Sequence, residues 1–113
     1  MYRILTIQTF ADRHPRWKQS VDLSGVRYRL YFSWNTRMRS WHMSVLDGNN
    51  GTLVGGVRLV PEIDLLEKYK ASVAGLPPGI VRILDRQSDP ATAELTRDNF
   101  GTRFLLSYTE MGG

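Results

Sequence analysis

The sequence predicts an all-β, mainly antiparallel fold: a small β-sandwich or barrel of about seven short strands, with at most one short helix near residues 62–71. Three observations carry that expectation. Residues 26–35 alternate strictly, with Val26, Tyr28, Leu30, Phe32 and Trp34 on one side and Arg27, Arg29, Tyr31, Ser33 and Asn35 on the other, as in a half-buried antiparallel strand. Ser24-Gly25 and the run Asp47-Gly48-Asn49-Asn50-Gly51 are turn sequences of the kind that close hairpins. Helical spacing, by contrast, shows only between Pro61 and Gly75.

RILTIQTF, residues 3–10, alternates well enough for a first strand, with Ile4, Thr6 and Gln8 opposed to Leu5, Ile7 and Thr9. Neither face is cleanly apolar, so its register stays open. ADRHPR breaks the pattern, because Pro15 disfavours helical geometry at His14. Residues 1–16 also read as an extended arm of what is otherwise one β domain over 1–113. WKQSVDL, 17–23, sets Trp17, Gln19, Val21 and Leu23 against Lys18, Ser20 and Asp22, and Gly25 can then take the positive φ that a two-residue hairpin turn requires.

After the strand at 26–35, the loop NTRMRS returns the chain into WHMSVLD, where Trp41, Met43 and Val45 alternate with His42, Ser44 and Leu46. The Asp-Gly and Asn-Gly pairs lead to TLVGGVRLV, whose Gly55-Gly56 marks a bulge or a close backbone approach. In PEIDLLEKYKASVAG, Ile63, Leu66 and Tyr69 or Lys70 fall at helical spacing, and one short helix or a turn-rich loop fits equally. LPPG at 76–79 closes that stretch, and GIVRILD at 79–85 reads as a strand. Residues 86–102 form a polar surface excursion, and RFLLSYTE at 103–110 is the last strand, with Phe104, Leu106 and Tyr108 facing one way.

A chain of 113 residues with 42% apolar content supports one hydrophobic core. The absence of cysteine excludes a disulfide framework and a thiolate nucleophile, and denies a structural zinc its preferred sulfur ligands. The apolar start is too short and too polar for a signal peptide, and no window reaches the roughly 18–20 apolar residues that span a bilayer. A soluble protein made in the cytoplasm is expected, without membrane partners. The net charge of +4 is carried mostly by arginine and scattered with both signs, which permits an anionic partner without demanding one.

Catalytic constellations are missing from the pattern. The 11 acidic residues are dispersed singly along the chain rather than set as a dyad. His14 sits in a Pro-containing loop and His42 on the polar side of a strand, neither with a His or Cys at ligand spacing. No serine lies in a GxSxG or SxxK arrangement, and GNNGTLVGG lacks the Lys-Ser/Thr ending of a phosphate loop. The expectation is a non-enzymatic protein with no cofactor and no metal.

RYRLYFSWNTRMRSWH, residues 27–42, then raises two readings. Arginines beside aromatics suit a single-stranded nucleic-acid reader of the OB type, in which rings stack on bases and arginines track phosphates. They also suit a protein interface, which enriches both residue types. Parity favours the second, since most aromatics share the apolar face and only Tyr31 is left to stack beside the arginines. The expected core is therefore Tyr28, Leu30, Phe32, Trp34, Trp41, Met43 and Val45, and the expected assembly interface Arg27, Arg29, Tyr31, Arg37 and Arg39.

The order of segments carries a resemblance. Gly25, Arg27, Tyr28, Leu30 and Trp34 match a first motif, Trp41 and Asp47 a second, Gly56, Leu59, Pro61, Asp64, Leu65 and Leu66 a third, and Thr96, Asp98, Gly101, Thr102, Leu106 and Tyr108 a fourth. In this order and spacing, over roughly residues 19–109, the chain resembles the small baseplate plug proteins of contractile-tailed bacteriophages. Residues 1–18 lie outside the resemblance, and Phe100 stands where the pattern would carry an aliphatic residue. The resemblance implies a virion structural protein of the tail baseplate, synthesised in the host cytoplasm, non-enzymatic, and joined to tube, hub or wedge proteins in a homo- or hetero-oligomeric ring. It carries over no catalytic residue; an OB-like single-stranded nucleic-acid-binding module stays as the alternative, which parity disfavours.

Overall fold

The structure is a computed structural model describing residues 2–87 and 94–111. Among these residues it has seven strands: β1 (Tyr2–Ile7), β2 (Arg16–Leu23), β3 (Val26–Asn35), β4 (Ser40–Leu46), β5 (Thr52–Arg58), β6 (Ile80–Asp85) and β7 (Phe104–Met111). They form a four-stranded sheet of order β2-β3-β4-β5 and a three-stranded sheet of order β1-β7-β6, antiparallel throughout. The sheets share one core and remain open, so the barrel alternative is not realised. The reason lies in β1, which does not pair with its sequence neighbour β2 but lies along β7, with Tyr2 opposite Met111 and Ile7 opposite Leu106. Residues 2–7 of the segment also readable as an arm are thus one of the two edge strands of the smaller sheet.

Local chemistry sets the meander. Ser24 and Gly25 both take positive φ, 52° and 80°, the combination whose twist matches that of the flanking strands. This turn places Leu23 opposite Val26 and fixes the β2–β3 register out to Arg16 opposite Ser33. At the β4–β5 turn one Asp47 carboxylate oxygen accepts the Asn49 and Gly51 N–H groups at 2.9 and 2.8 Å. Two residues, Gly55 and Gly56, then face the single Ser44, and the Ser44 hydroxyl takes the Gly56 N–H at 3.0 Å. This is the bulge that the Gly-Gly pair predicts.

The stretch after Pro61 is turns with one 3-10 turn, Glu67–Tyr69. A longer helix is prevented by competition for the backbone. Glu62 N–H donates to Ile83 O at 2.8 Å and Leu65 N–H to Val81 O at 2.9 Å, laying the segment along the outer edge of β6, while Glu62 itself has φ 69°. Leu65 and Leu66, adjacent in sequence, are both buried, which no single helical stripe would demand.

One expectation is corrected outright. Residues 86–102 are not only a surface excursion: Leu95 and Phe100 are buried, and Phe100 packs 5.5 Å from Trp41 and 6.0 Å from Phe32 between ring centroids. Residues 88–93 of that stretch lie outside the described residues. The core has an aromatic centre, in which Trp17 stacks on Phe32 at 4.7 Å and meets Trp41 edge-on at 5.6 Å.

A polar chain ties the sheets together at one end. Gly79 N–H donates to the Tyr108 hydroxyl at 2.8 Å, the Tyr108 and Ser24 hydroxyls lie 2.7 Å apart, and Ser24 Oγ donates to Glu110 Oε2 at 3.0 Å. Since Ser24 has one proton and gives it to Glu110, Tyr108 is the donor in the Tyr108–Ser24 bond. Glu110, nearly buried, is closed from the other side by Arg3, whose Nε donates at 3.0 Å. The β2–β3 turn of one sheet is thereby fastened to β7 and β1 of the other. Gly79 permits it, because a Cβ there would run into Thr109 O and stand 2.6 Å from the Tyr108 ring.

Two outcomes are expected. Gly79→Ala should cost about 1–3 kcal/mol, the usual range for overpacking, read as a lower urea midpoint with unchanged slope. The hydrogen bond from Arg3, then that from Ser24, holds the Glu110 carboxyl below its ordinary range. Because the folded value is depressed, this stabilisation is fully present above the unfolded glutamate value of about 4.3 and is lost as pH falls through the folded value. Urea midpoints measured down through acid pH should therefore fall more steeply for the wild-type chain than for Glu110→Gln, which should be the less stable of the two at pH 7.

Candidate assembly interface

The alternation that turns Tyr28, Leu30 and Phe32 inward turns Arg27, Arg29, Tyr31 and Ser33 to the outer face of the four-stranded sheet. Strand register then assembles rows across that face. Asp22 lies beside Arg27; Ser20, Arg29 and Leu46 make a second row; Lys18, Tyr31 and Ser44 a third; Arg16, Ser33, His42 and Arg58 a fourth, spanning the whole sheet. Between the last two rows the surface dips, lined by Arg16, Tyr31, Ser33, Trp34 and His42.

The charges on this face are unevenly matched. Arg27 Nε donates to Asp22 Oδ1 at 3.0 Å, an exposed pair in which the hydrogen bond to that carboxylate raises the Arg27 pKa. Arg29 Nη1 donates to Asn50 Oδ1 at 2.8 Å, while its buried Nε has no partner among the described residues. Arg16, Lys18 and Arg58 form no ion pair among the described residues. Asp47, the nearest acid in sequence on the β4–β5 side, has one carboxylate oxygen turned to its own turn.

The five residues expected at an interface are not one patch. Arg27, Arg29 and Tyr31 lie along β3, whereas Arg37 and Arg39 are exposed in the β3–β4 loop, where Asn35 Oδ1 accepts the Met38 N–H at 3.0 Å and Arg39 takes φ 52°. Arg27 and Asn35 are eight residues apart on an extended strand, a span of roughly 26 Å. Of the expected core, Tyr28, Leu30, Phe32, Trp41, Met43 and Val45 are buried, and Trp34 is half-buried against Trp41, ring centroids 5.5 Å apart.

Arg16 and Arg58 were not singled out for this face by the sequence, because only the pairing of four strands brings them into one row with Ser33 and His42. Lys18 had a local signal, its parity opposite Trp17. Among the described residues no group of three or more His, Cys, Asp or Glu is placed to hold a metal ion, and no helix is long and apolar enough to cross a membrane.

The class to which this β domain belongs is that of phage baseplate structural proteins. Residues 4–111 match the family described as cyanophage baseplate Pam3 plug gp18, and the chain belongs to that family. The match begins well ahead of residue 19, so β1 from Ile4 onward and all of β2 lie within the matched residues. A search of curated proteins found no match.

Proposed function

We propose that this chain is a non-enzymatic plug of a contractile-tail baseplate that joins neighbouring tube, hub or wedge proteins by packing against them. Its place is the tail baseplate of the virion, within a homo- or hetero-oligomeric ring about the tail axis. Membership of the baseplate plug family supports the setting. The observation that carries the mode of action is the open outer face of the β2–β5 sheet, where cations outnumber carboxylates and one acid, Asp22, is already engaged by Arg27.

Arg27, Arg29, Tyr31, Arg37 and Arg39 are the contacts proposed toward neighbouring chains, with Tyr28, Leu30, Phe32, Trp34, Trp41, Met43 and Val45 holding the strand that presents them. The work is mechanical. A sheet whose register is pinned at its hairpin turns offers a preorganised surface, so association loses little conformational entropy in the backbone.

Immunogold labelling of intact virions should place the chain at the baseplate. Phage supplied only with the Arg37→Glu, Arg39→Glu double variant should yield about tenfold fewer complete particles, the effect of losing roughly 1.4 kcal/mol at an interface. Label spread along the tail, or confined to the capsid, would overturn the baseplate assignment. Unchanged particle yield would remove the β3–β4 loop from the interface.

A further inference from the structure

We infer that the outer face of the four-stranded sheet receives a carboxylate-rich surface of a neighbouring protein, anchored by the row Arg16–Ser33–His42–Arg58. This rests on the reading of the chain as an assembly subunit and names the chemistry of the partner.

Three features of the row support it. Its two arginines stand on the outermost strands, β2 and β5, three strand spacings apart, or roughly 14 Å between Cα positions. Both are exposed and neither forms an ion pair among the described residues. Beside them the surface dips, since Ser33 is small and Gly56 has no side chain, while Tyr31, Trp34 and His42 border the dip. An incoming chain can therefore bring carboxylates level with two guanidinium groups at once, and each guanidinium can take a carboxylate through two parallel N–H donors.

The neighbouring rows add to the same sign. Lys18 lies next to Arg16 on β2, and Arg29 beyond it on β3, whereas Asp22 stands at the far corner, held by Arg27. Nucleic acid would meet the same charge but not the same shape. Parity leaves Tyr31 as the outward aromatic of β3, and Trp34 is committed edge-on to Trp41, so successive bases would lack a stacking platform.

The test uses phage in which variants are the sole copy of the chain. Arg16→Glu with Arg58→Glu should lower the amount of the chain per purified virion at least about tenfold, while Arg16→Lys with Arg58→Lys keeps most of it. Suppressors that restore growth of the charge-reversed phage should replace an Asp or Glu of another baseplate protein with Lys or Arg. Matching circular dichroism and urea midpoints for the purified variants exclude misfolding, and Lys18→Glu provides a second charge reversal on the same face.

Charge-reversed chain incorporated at the wild-type level would overturn the inference and leave the assembly reading standing. Wild-type chain absent from purified virions would overturn the assembly reading and the inference with it. Tight binding of a single-stranded oligonucleotide, with a steep salt dependence lost in the charge-reversed variant, would reassign the face to nucleic acid.

Discussion

Everything else in this domain depends on the burial of Trp41. No helix longer than one turn and no disulfide is present among the described residues, so the space between the two sheets has to supply the stability. Trp41 is fully buried there, touching Trp17, Trp34 and Phe100. Its indole N–H donates to Thr96 O at 3.1 Å, and the Arg97 guanidinium lies 5.2 Å from its ring centroid. Losing a buried ring of this size typically costs about 3–5 kcal/mol, against a total stability of about 5–15 kcal/mol for a small domain. The indole gathers β2, β3 and the segment before β7 onto β4. A polar stretch far along the chain is held down by one aromatic side chain.

That central demand explains how the two ends of the sandwich differ. At the Trp41 end the closure is aromatic, with Phe100 filling the gap beside Trp17 and Phe32. At the other end it is polar, running from Gly79 through Tyr108 and Ser24 to Glu110 and Arg3. Tyr28 belongs to this second region, its hydroxyl donating to Gly75 O at 2.8 Å and its pKa raised by burial and then by Tyr108. A network of this kind is favourable only when every member is satisfied, which is why the close approach at Gly79 matters more than its position in a loop suggests.

How much of this was legible in the sequence follows from the range over which each interaction acts. The β2–β3–β4–β5 meander was readable because parity and turn chemistry are local: Val26–Asn35 alternates, and Ser24-Gly25 and Asp47–Gly51 close their own hairpins. The pairing of β1 with β7 joins opposite ends of the chain, and nothing in RILTIQTF names its partner. Phe100 was hidden for the same reason, an aromatic in a polar run whose burial is decided by rings on β2, β3 and β4. The stretch after Pro61 carried real helical spacing, but its N–H groups found better fixed acceptors on β6. Half of the cationic face was visible as arginines on β3, and the other half required the register that sets Arg16 and Arg58 at the two ends of one row.

Folding and surface chemistry are not independent here, because a strand has only two sides. The alternation that sends Leu30 and Phe32 to Trp41 is the one that sends Arg29 and Tyr31 outward, so a slip of one residue in β3 would bury the cations and expose the core. What prevents the slip lies at the hairpin turns. Ser24 and Gly25 fix β2 against β3, the β3–β4 turn held by Asn35 Oδ1 sets β4 against β3, and the Asp47 turn with the Gly55-Gly56 bulge fixes β5 against β4. The spacing of Arg16 from Arg58 is therefore set by residues that touch neither of them. A partner surface matched to that spacing would be reading the turn sequences indirectly, through the register they impose.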